Sequence, residues 1–290
     1  MAVSFNYEQA FARNIGWVTR SEQGILRKKR IAIAGMGGVG GIHLLTLARL
    51  GVGAFNISDL DVFELVNFNR QAGAMVSTLE SPKAETMARM AWDINPELDI
   101  RIFSGGITKD NVEDFLGGAD LYVDGMDFFA FGPREALFST CYRMMIPAIT
   151  AGPLGMSAAL LNFLPGGMSF EEYFCWNGQT DEEKGIRFLL GLSPARLQFP
   201  YLVDPNAVDF VEKRGPSTAM ACQLCAGMAA TEALKILLGR GKILAVPWGM
   251  QFDAYRNRFV RTWRPGGNRN PVQKIALMVA RRRRKDLKRR

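Results

Sequence analysis

Apolar and polar positions along this chain follow two periods, and the switches between them lay out a series of strands and helices. Arg30–Ala34 (RIAIA) and Ala54–Ser58 (AFNIS) are short apolar runs, which predict strands. Between them a glycine-rich turn over 35–41 leads into Val39, Ile42, Leu45, Leu47 and Leu50 at helical spacing, and Gly51 and Gly53 close that helix. Pro82 opens a helix over 83–93, in the first-turn position that tolerates proline. A third strand is expected over 98–103, a short helix over 109–116 and a fourth strand over 119–124. A helix over 134–145 and a short strand over 148–150 follow. Strands alternating with helices predict an α/β fold, a Rossmann-like doubly wound and mostly parallel sheet.

The pattern changes after Gly152. A strand over 156–164 ends at Pro165, Gly166 and Gly167. Residues 175–215 have weak periodicity, and Pro194, Pro200, Pro205 and Pro216 punctuate the stretch. It reads as a long irregular excursion with one short helix near 186–192, and excursions of that length are commonly functional or disordered. A long helix over 218–238 and two mixed or antiparallel strands, Trp248–Asp253 and Arg258–Trp263, complete the pattern. Three regions result: a helical arm over 1–29, an α/β body over 30–264, and a tail over 265–290 behind Pro265, Gly266 and Gly267. No internal repeat is present.

Composition adds limits. Apolar residues make up 48% and charged residues 22% of 290, which fits a globular chain. Four cysteines in this length do not make a disulfide scaffold, so a reducing cytoplasm is expected. The N-terminus lacks a basic patch followed by an apolar run, and no secretory signal is expected. The most apolar stretch, 218–238, is interrupted by Gln223, Glu232 and Lys235 and reads as a buried helix, not a transmembrane segment. Residues 281–290 hold eight basic residues against one acid and so account for +7 of the net +8. Affinity for nucleic acid or anionic lipid would belong to that tail, whose plainest role is a solvated run.

The motif GMGGVG places Gly35, Gly37, Gly38 and Gly40 between a strand and a helix. There a tight backbone and a helix N-terminus can receive phosphate. Asp59 follows Gly40 by 19 residues, at the end of the next strand, where an acid can bind ribose hydroxyls. That much suits NAD, FAD or ATP equally. The loop NFNRQ, with Asn67, Asn69, Arg70 and Gln71 just past Asp61, together with Lys83 breaks the tie. Two cations there would stabilise charge gathering on departing pyrophosphate, a need that hydride transfer lacks. Asp124 and Asp127 end the fourth strand, where a carboxylate can hold Mg²⁺ or cap a turn. The two roles weigh equally for Asp124, and the metal role is favoured for Asp127.

With these residues in place, the chain resembles the HesA/MoeB/ThiF superfamily, prokaryotic relatives of ubiquitin-activating enzymes. The matching residues are GMGGVG, the DLD of 59–61, NFNRQ, Lys83, the INPE of 94–97, the D-x-x-D of 124–127 and TEALKILLG over 231–239. The resemblance implies that Arg70 and Lys83 bind ATP phosphates, Asp59 the ribose, and Asp127 a Mg²⁺ ion. It implies an adenylyltransferase that condenses a carboxylate with ATP, commonly the C-terminal glycine of a ubiquitin-like or sulfur-carrier protein. It also implies a homodimer in which an arm arginine, here Arg13, reaches the partner's ATP.

Departures from that pattern matter. Only one C-x-x-C pair, Cys222 and Cys225, is present where a structural zinc needs four ligands, so no zinc site is expected. Phe128 stands where a polar residue is common, followed by Phe129. Cys175 is the best candidate for a nucleophile that takes the acyl group, although its aromatic neighbours would raise a thiol's pKa. His43, the only histidine, reads as a surface or satisfied packing residue. Three other readings stay open. One is the superfamily's tRNA-modifying dehydratase branch, mildly favoured by TKDNVEDFL over 108–116 and the basic tail. The others are an NAD- or FAD-binding oxidoreductase and a non-catalytic scaffold.

Overall fold

The computed structural model describes residues 5–287 apart from 205, 206, 209–211 and 213. Eight strands form one sheet in the order β3-β2-β1-β4-β5-β6-β7-β8. They are β1 (Arg30–Ala34), β2 (Ala54–Ser58), β3 (Asp99–Phe103), β4 (Leu121–Asp124), β5 (Ala148–Leu154), β6 (Ser157–Phe163), β7 (Trp248–Asp253) and β8 (Arg258–Trp263). The first five run parallel, with Ile31 opposite both Phe55 and Leu121, and the last three are added antiparallel. The strand order reverses between β1 and β4, and a crevice opens there beyond their carboxyl ends.

Alternation along β1 explains the two layers. Ile31 and Ile33 face one core with α3 (Gly40–Leu50), α4 (Lys83–Ile94) and α9 (Ala219–Leu238), where Leu44, Leu47, Met87 and Ala229 pack. Ala32 and Ala34 face the other core, where small residues leave room for Phe115, Phe138, Phe170, Trp176 and Phe188. That side is built by α5 (Val112–Leu116), α6 (Phe131–Arg143), α7 (Phe170–Phe174) and α8 (Asp181–Leu192). Among the described residues, α9 alone is long and apolar enough to cross a bilayer. It instead packs on α3 and the sheet, and its buried Glu232 is met by Asn162 and Lys235.

The excursion expected over 175–215 is more regular than its periodicity suggests. Helix α8 starts at Asp181, five residues before the predicted position, because Thr180 caps the Glu183 N–H and three acids fill its first turn. Just before it, Ser169 and Glu172 form a capping box on α7. The expected tail likewise begins as a docked helix, α10 (Pro271–Leu287). Ala276 and Leu277 pack on Ile186 and Leu190 of α8, Gln273 donates to Leu190 O at 2.9 Å, and Arg281 pairs with Glu183. Beyond Arg282 the basic run lies outside the residues whose side chains are described.

The arm also docks. Its helices α1 (Tyr7–Ala10) and α2 (Arg20–Leu26) are held by Tyr7, whose hydroxyl donates to Gly51 O at 2.5 Å.

Buried His43 departs from the sequence expectation. It is 1% exposed on the inner face of α3, and neither ring nitrogen has a partner among the described residues. Burial pushes its pKa down to about 4, with Asp124 nearby pulling weakly the other way. Between pH 6.5 and 4 the unfolded chain therefore takes up a proton that the folded chain refuses, and stability falls as pH falls. Above pH 6.5 the slope fades as the unfolded chain also loses the proton. From pH 7 to 5 the loss from this residue is about 2 kcal/mol. Urea unfolding of His43→Leu is expected to show that much less difference between pH 7 and pH 5 than the parent; equal differences would exonerate His43.

Candidate nucleotide site at the β1–β4 crevice

The glycine turn is tight because parts of it touch. Gly35 has φ +88°, and a β-carbon on Gly40 would lie 1.7 Å from the Gly35 carbonyl oxygen. The loop after β4 comes equally close, since a β-carbon on Gly125 would sit 2.6 Å from both Gly35 O and Gly40 Cα. The α3 N-terminus has no side-chain cap, and Gly41 N donates to Gly37 O within the turn at 3.2 Å.

Each sequence-predicted group can be placed against that turn. Asp59 Oδ2 accepts from Met36 N at 2.6 Å and Oδ1 from Asp61 N at 2.8 Å. Its pKa is raised on balance, because burial outweighs the two N–H donors and the Lys83 charge that pull it down. Lys83 opens α4 with its stem buried, and its Nζ donates to the exposed Asp61 carboxylate at 3.1 Å. Arg70 lies over the turn: a β-carbon on Gly38 would be 3.6 Å from its Cγ and 3.1 Å from Cys222 Sγ. Its Nη1 donates to Val66 O and Asn69 Oδ1, at 3.0 and 2.9 Å. Asn67 is buried and accepts from Glu64 N, whereas Asn69 reaches across to Ser217 O. A cavity of about 160 Å³ beside the turn is lined by Ile42, Phe68, Arg70, Gln71, Cys222 and Gln223. The side-chain Oε1 of Gln71, buried there, has no hydrogen-bond partner among the described residues.

Asp124 and Asp127 divide sharply. Asp124 is buried and spent on the protein: Oδ2 accepts from Arg134 Nε at 2.8 Å and Thr150 Oγ1 at 2.9 Å, and Oδ1 from Met126 N at 3.2 Å. Of the two roles weighed for Asp124 above, these partners support the structural, turn-capping one. Asp127 is exposed, with Oδ1 accepting from Phe129 N at 2.9 Å in a turn. A single exposed carboxylate on the loop packed against the glycine turn fits the donor set of Mg²⁺, which takes one or two carboxylates plus phosphate oxygens. Arg134 is the residue that sequence reasoning missed. It is 2% exposed, and beyond Asp124 it donates to the carbonyls of Met126, Asp127 and Phe128. A buried-partner signal existed in the acid, since Asp124 at a strand end needs a cation, but nothing in the spacing named which one.

Arg13, expected to reach a partner's ATP, and Cys175, the candidate nucleophile, make their contacts away from the turn. Asn14 donates to the carbonyls of Arg49 and Leu50, which ties the neighbouring Arg13 to the far end of α3. That end is one helix length, about 16 Å, from the glycines. Cys175 caps α7 with φ +56°; its Sγ donates to Glu172 O at 3.4 Å, and Arg187 binds its carbonyl oxygen. The partners of this residue thus belong to α7 and α8. Burial raises the pKa of the thiols of Cys222 and Cys225 on α9.

A family model described as ThiF family matches residues 11–274. The tRNA threonylcarbamoyladenosine dehydratase of Haemophilus influenzae is 35% identical over 156 residues, which cover 53% of this chain and 59% of that protein. The SAMP-activating enzyme E1 of Haloferax volcanii is 27% identical over 227 residues, covering 77% and 72%. Among solved structures, the E. coli tRNA N6-threonylcarbamoyladenosine dehydratase in complex with ATP superposes with a TM-score of 0.60 at 22% identity, covering 82% of this chain and 98% of that one. The chain spans about half the length of the curated dehydratases it matches.

Proposed function

The chain belongs to the ThiF family, and from that premise we propose that it is an ATP-dependent adenylyltransferase that activates a carboxylate. The observation that supports this reading is that Asp59 and Arg70 touch one glycine turn, the loop leading to Asp127 packs on it through Gly125, and Lys83 joins it by way of Asp61. A carboxylate oxygen attacks the α-phosphorus, the bond to the bridging oxygen breaks, and pyrophosphate leaves with the electron pair. Arg70 exchanges its carbonyl partner, and Lys83 its Asp61 partner, for the departing phosphate oxygens. Asp59 holds the ribose while fixing the turn through Met36 N. Asp61, Asn67 and Asn69 shape the loop that carries Arg70. Asp127 would hold Mg²⁺, which supplies charge neutralisation between the phosphates when bound. Exchange of labelled pyrophosphate into ATP with candidate carboxylates tests the reaction, and preference for NAD over ATP in calorimetry would remove it.

The substrate is proposed as the C-terminus of a ubiquitin-like or sulfur-carrier protein, which the likeness to a SAMP-activating E1 over 77% of the chain supports. A carboxylate on a tRNA nucleoside is the second reading, supported by three dehydratases at 32–36% identity. Exchange stimulated by carrier protein or by tRNA separates them.

Arg13 is proposed to act in a homodimer, on the partner's ATP. Its place at the far end of α3 gives it no role at its own turn. Arg13→Ala and Asp127→Ala, each inactive alone, are expected to recover about a quarter of the activity of the parent per subunit when mixed and allowed to re-associate. Recovery absent from a mixture shown to contain heterodimers would exclude action across an interface.

A further inference from the structure

We propose that Arg134 is the positioning residue that sets Asp127, through the backbone of the loop between them. This deepens, and rests on, the reading of Asp127 as the residue that holds Mg²⁺. The guanidinium uses all three nitrogens. Nε meets Asp124 Oδ2 at 2.8 Å, Nη1 meets Phe128 O at 3.1 Å, and Nη2 meets both Met126 O and Asp127 O at 2.9 Å. Three consecutive carbonyls, those on either side of Asp127 and its own, thus point at one buried cation. The cation is itself fixed. Asp124 is anchored by Thr150 of β5 and by Met126 N, and the Phe188 ring from α8 lies 4.7 Å from Arg134 Cζ. Few alternatives exist for the loop, because Gly125 is wedged against Gly35 and Gly40.

The consequence is a division of labour between two acids three residues apart. Asp124 is buried to hold the arginine; the arginine holds the carbonyls; Asp127 is left on an exposed turn with its direction set. Arginine is required because only a planar fork reaches three carbonyls and a carboxylate together, whereas a lysine is a single point of charge. Outer groups of this kind govern metal affinity by tenfold or more when removed.

The test is Arg134→Lys in the full chain, which keeps a charge for Asp124 and loses the fork. ATP affinity is measured by calorimetry across a Mg²⁺ titration, with thermal unfolding alongside. The Mg²⁺ concentration that half-saturates the gain in ATP affinity is expected to rise about tenfold, with metal-free ATP affinity unchanged. A stabilising role alone would lower the unfolding midpoint and leave that Mg²⁺ concentration where it was, and this outcome overturns the proposal. Should the lysine variant fail to fold, Phe188→Leu decides. It loosens the guanidinium without touching a charge, and a shift of about two- to fivefold in the same direction is expected; no shift overturns the proposal. Asp127→Asn is run in parallel. If it leaves the Mg²⁺ dependence unchanged, the assignment of Asp127 fails, whereas a shift there with none at Arg134 refutes only the positioning role.

Discussion

Pyrophosphate–ATP exchange is expected to fall at least a hundredfold in Arg70→Ala and in Asp127→Ala, with the fold intact in both. The size follows from what these groups meet. Charge gathers on pyrophosphate only as the bond breaks, so a cation or metal ligand beside it acts mainly on the transition state, where one lost contact costs about 10²–10³ in rate. Intact folding follows from where the side chains sit. Asp127 is on an exposed turn, and Arg70 donates to a carbonyl and an amide at the surface, so neither removal leaves a buried group unpaired. Circular dichroism and thermal unfolding check the fold, and exchange with a stimulating carboxylate checks the rate. Exchange retained in both variants would leave a nucleotide-binding protein without the proposed chemistry.

Asp124→Ala is expected to behave in the opposite way, as a loss of stability of about 3–5 kcal/mol. Arg134 would then keep a positive charge in a site that is 2% exposed, with carbonyl oxygens and the Phe188 ring but no anion to meet it. For a chain of this size the unfolding midpoint should drop by roughly 10 °C. The double replacement Asp124→Leu with Arg134→Met should cost less than the sum of the single ones, because most of each single loss is the stranded partner. Thermal scans of the four proteins form a closed cycle, and additive losses would mean that the two side chains are not coupled.

The contrast between these two acids also marks what could be read without coordinates. Boundaries of β1, β2, β7 and β8 are legible to the residue, because each run is short, apolar or alternating, and bounded by chain-breaking residues. The glycine turn, the strand-end Asp59 and the close succession of Arg70 and Lys83 are legible too, since one βαβ unit leaves them little room to diverge. Helices α7 and α8 are less legible. Their apolar faces are irregular because they pack aromatic rings, and their clearest signals are the caps Ser169 and Thr180 with the acids that follow.

By itself, then, the order of residues determined the sheet, the cradle and the family, all of which follow from local period and short spacing. Tertiary structure alone decided three things. It spent Asp124 on Arg134 and left Asp127 exposed, because the partners arrive from α6 and β5 and not from neighbouring residues. It set Arg13 a helix length from its own cradle, because the arm docks at the C-terminal end of α3. And it laid the start of the basic tail on α8, because Ala276 and Leu277 find an apolar surface that only the folded excursion presents.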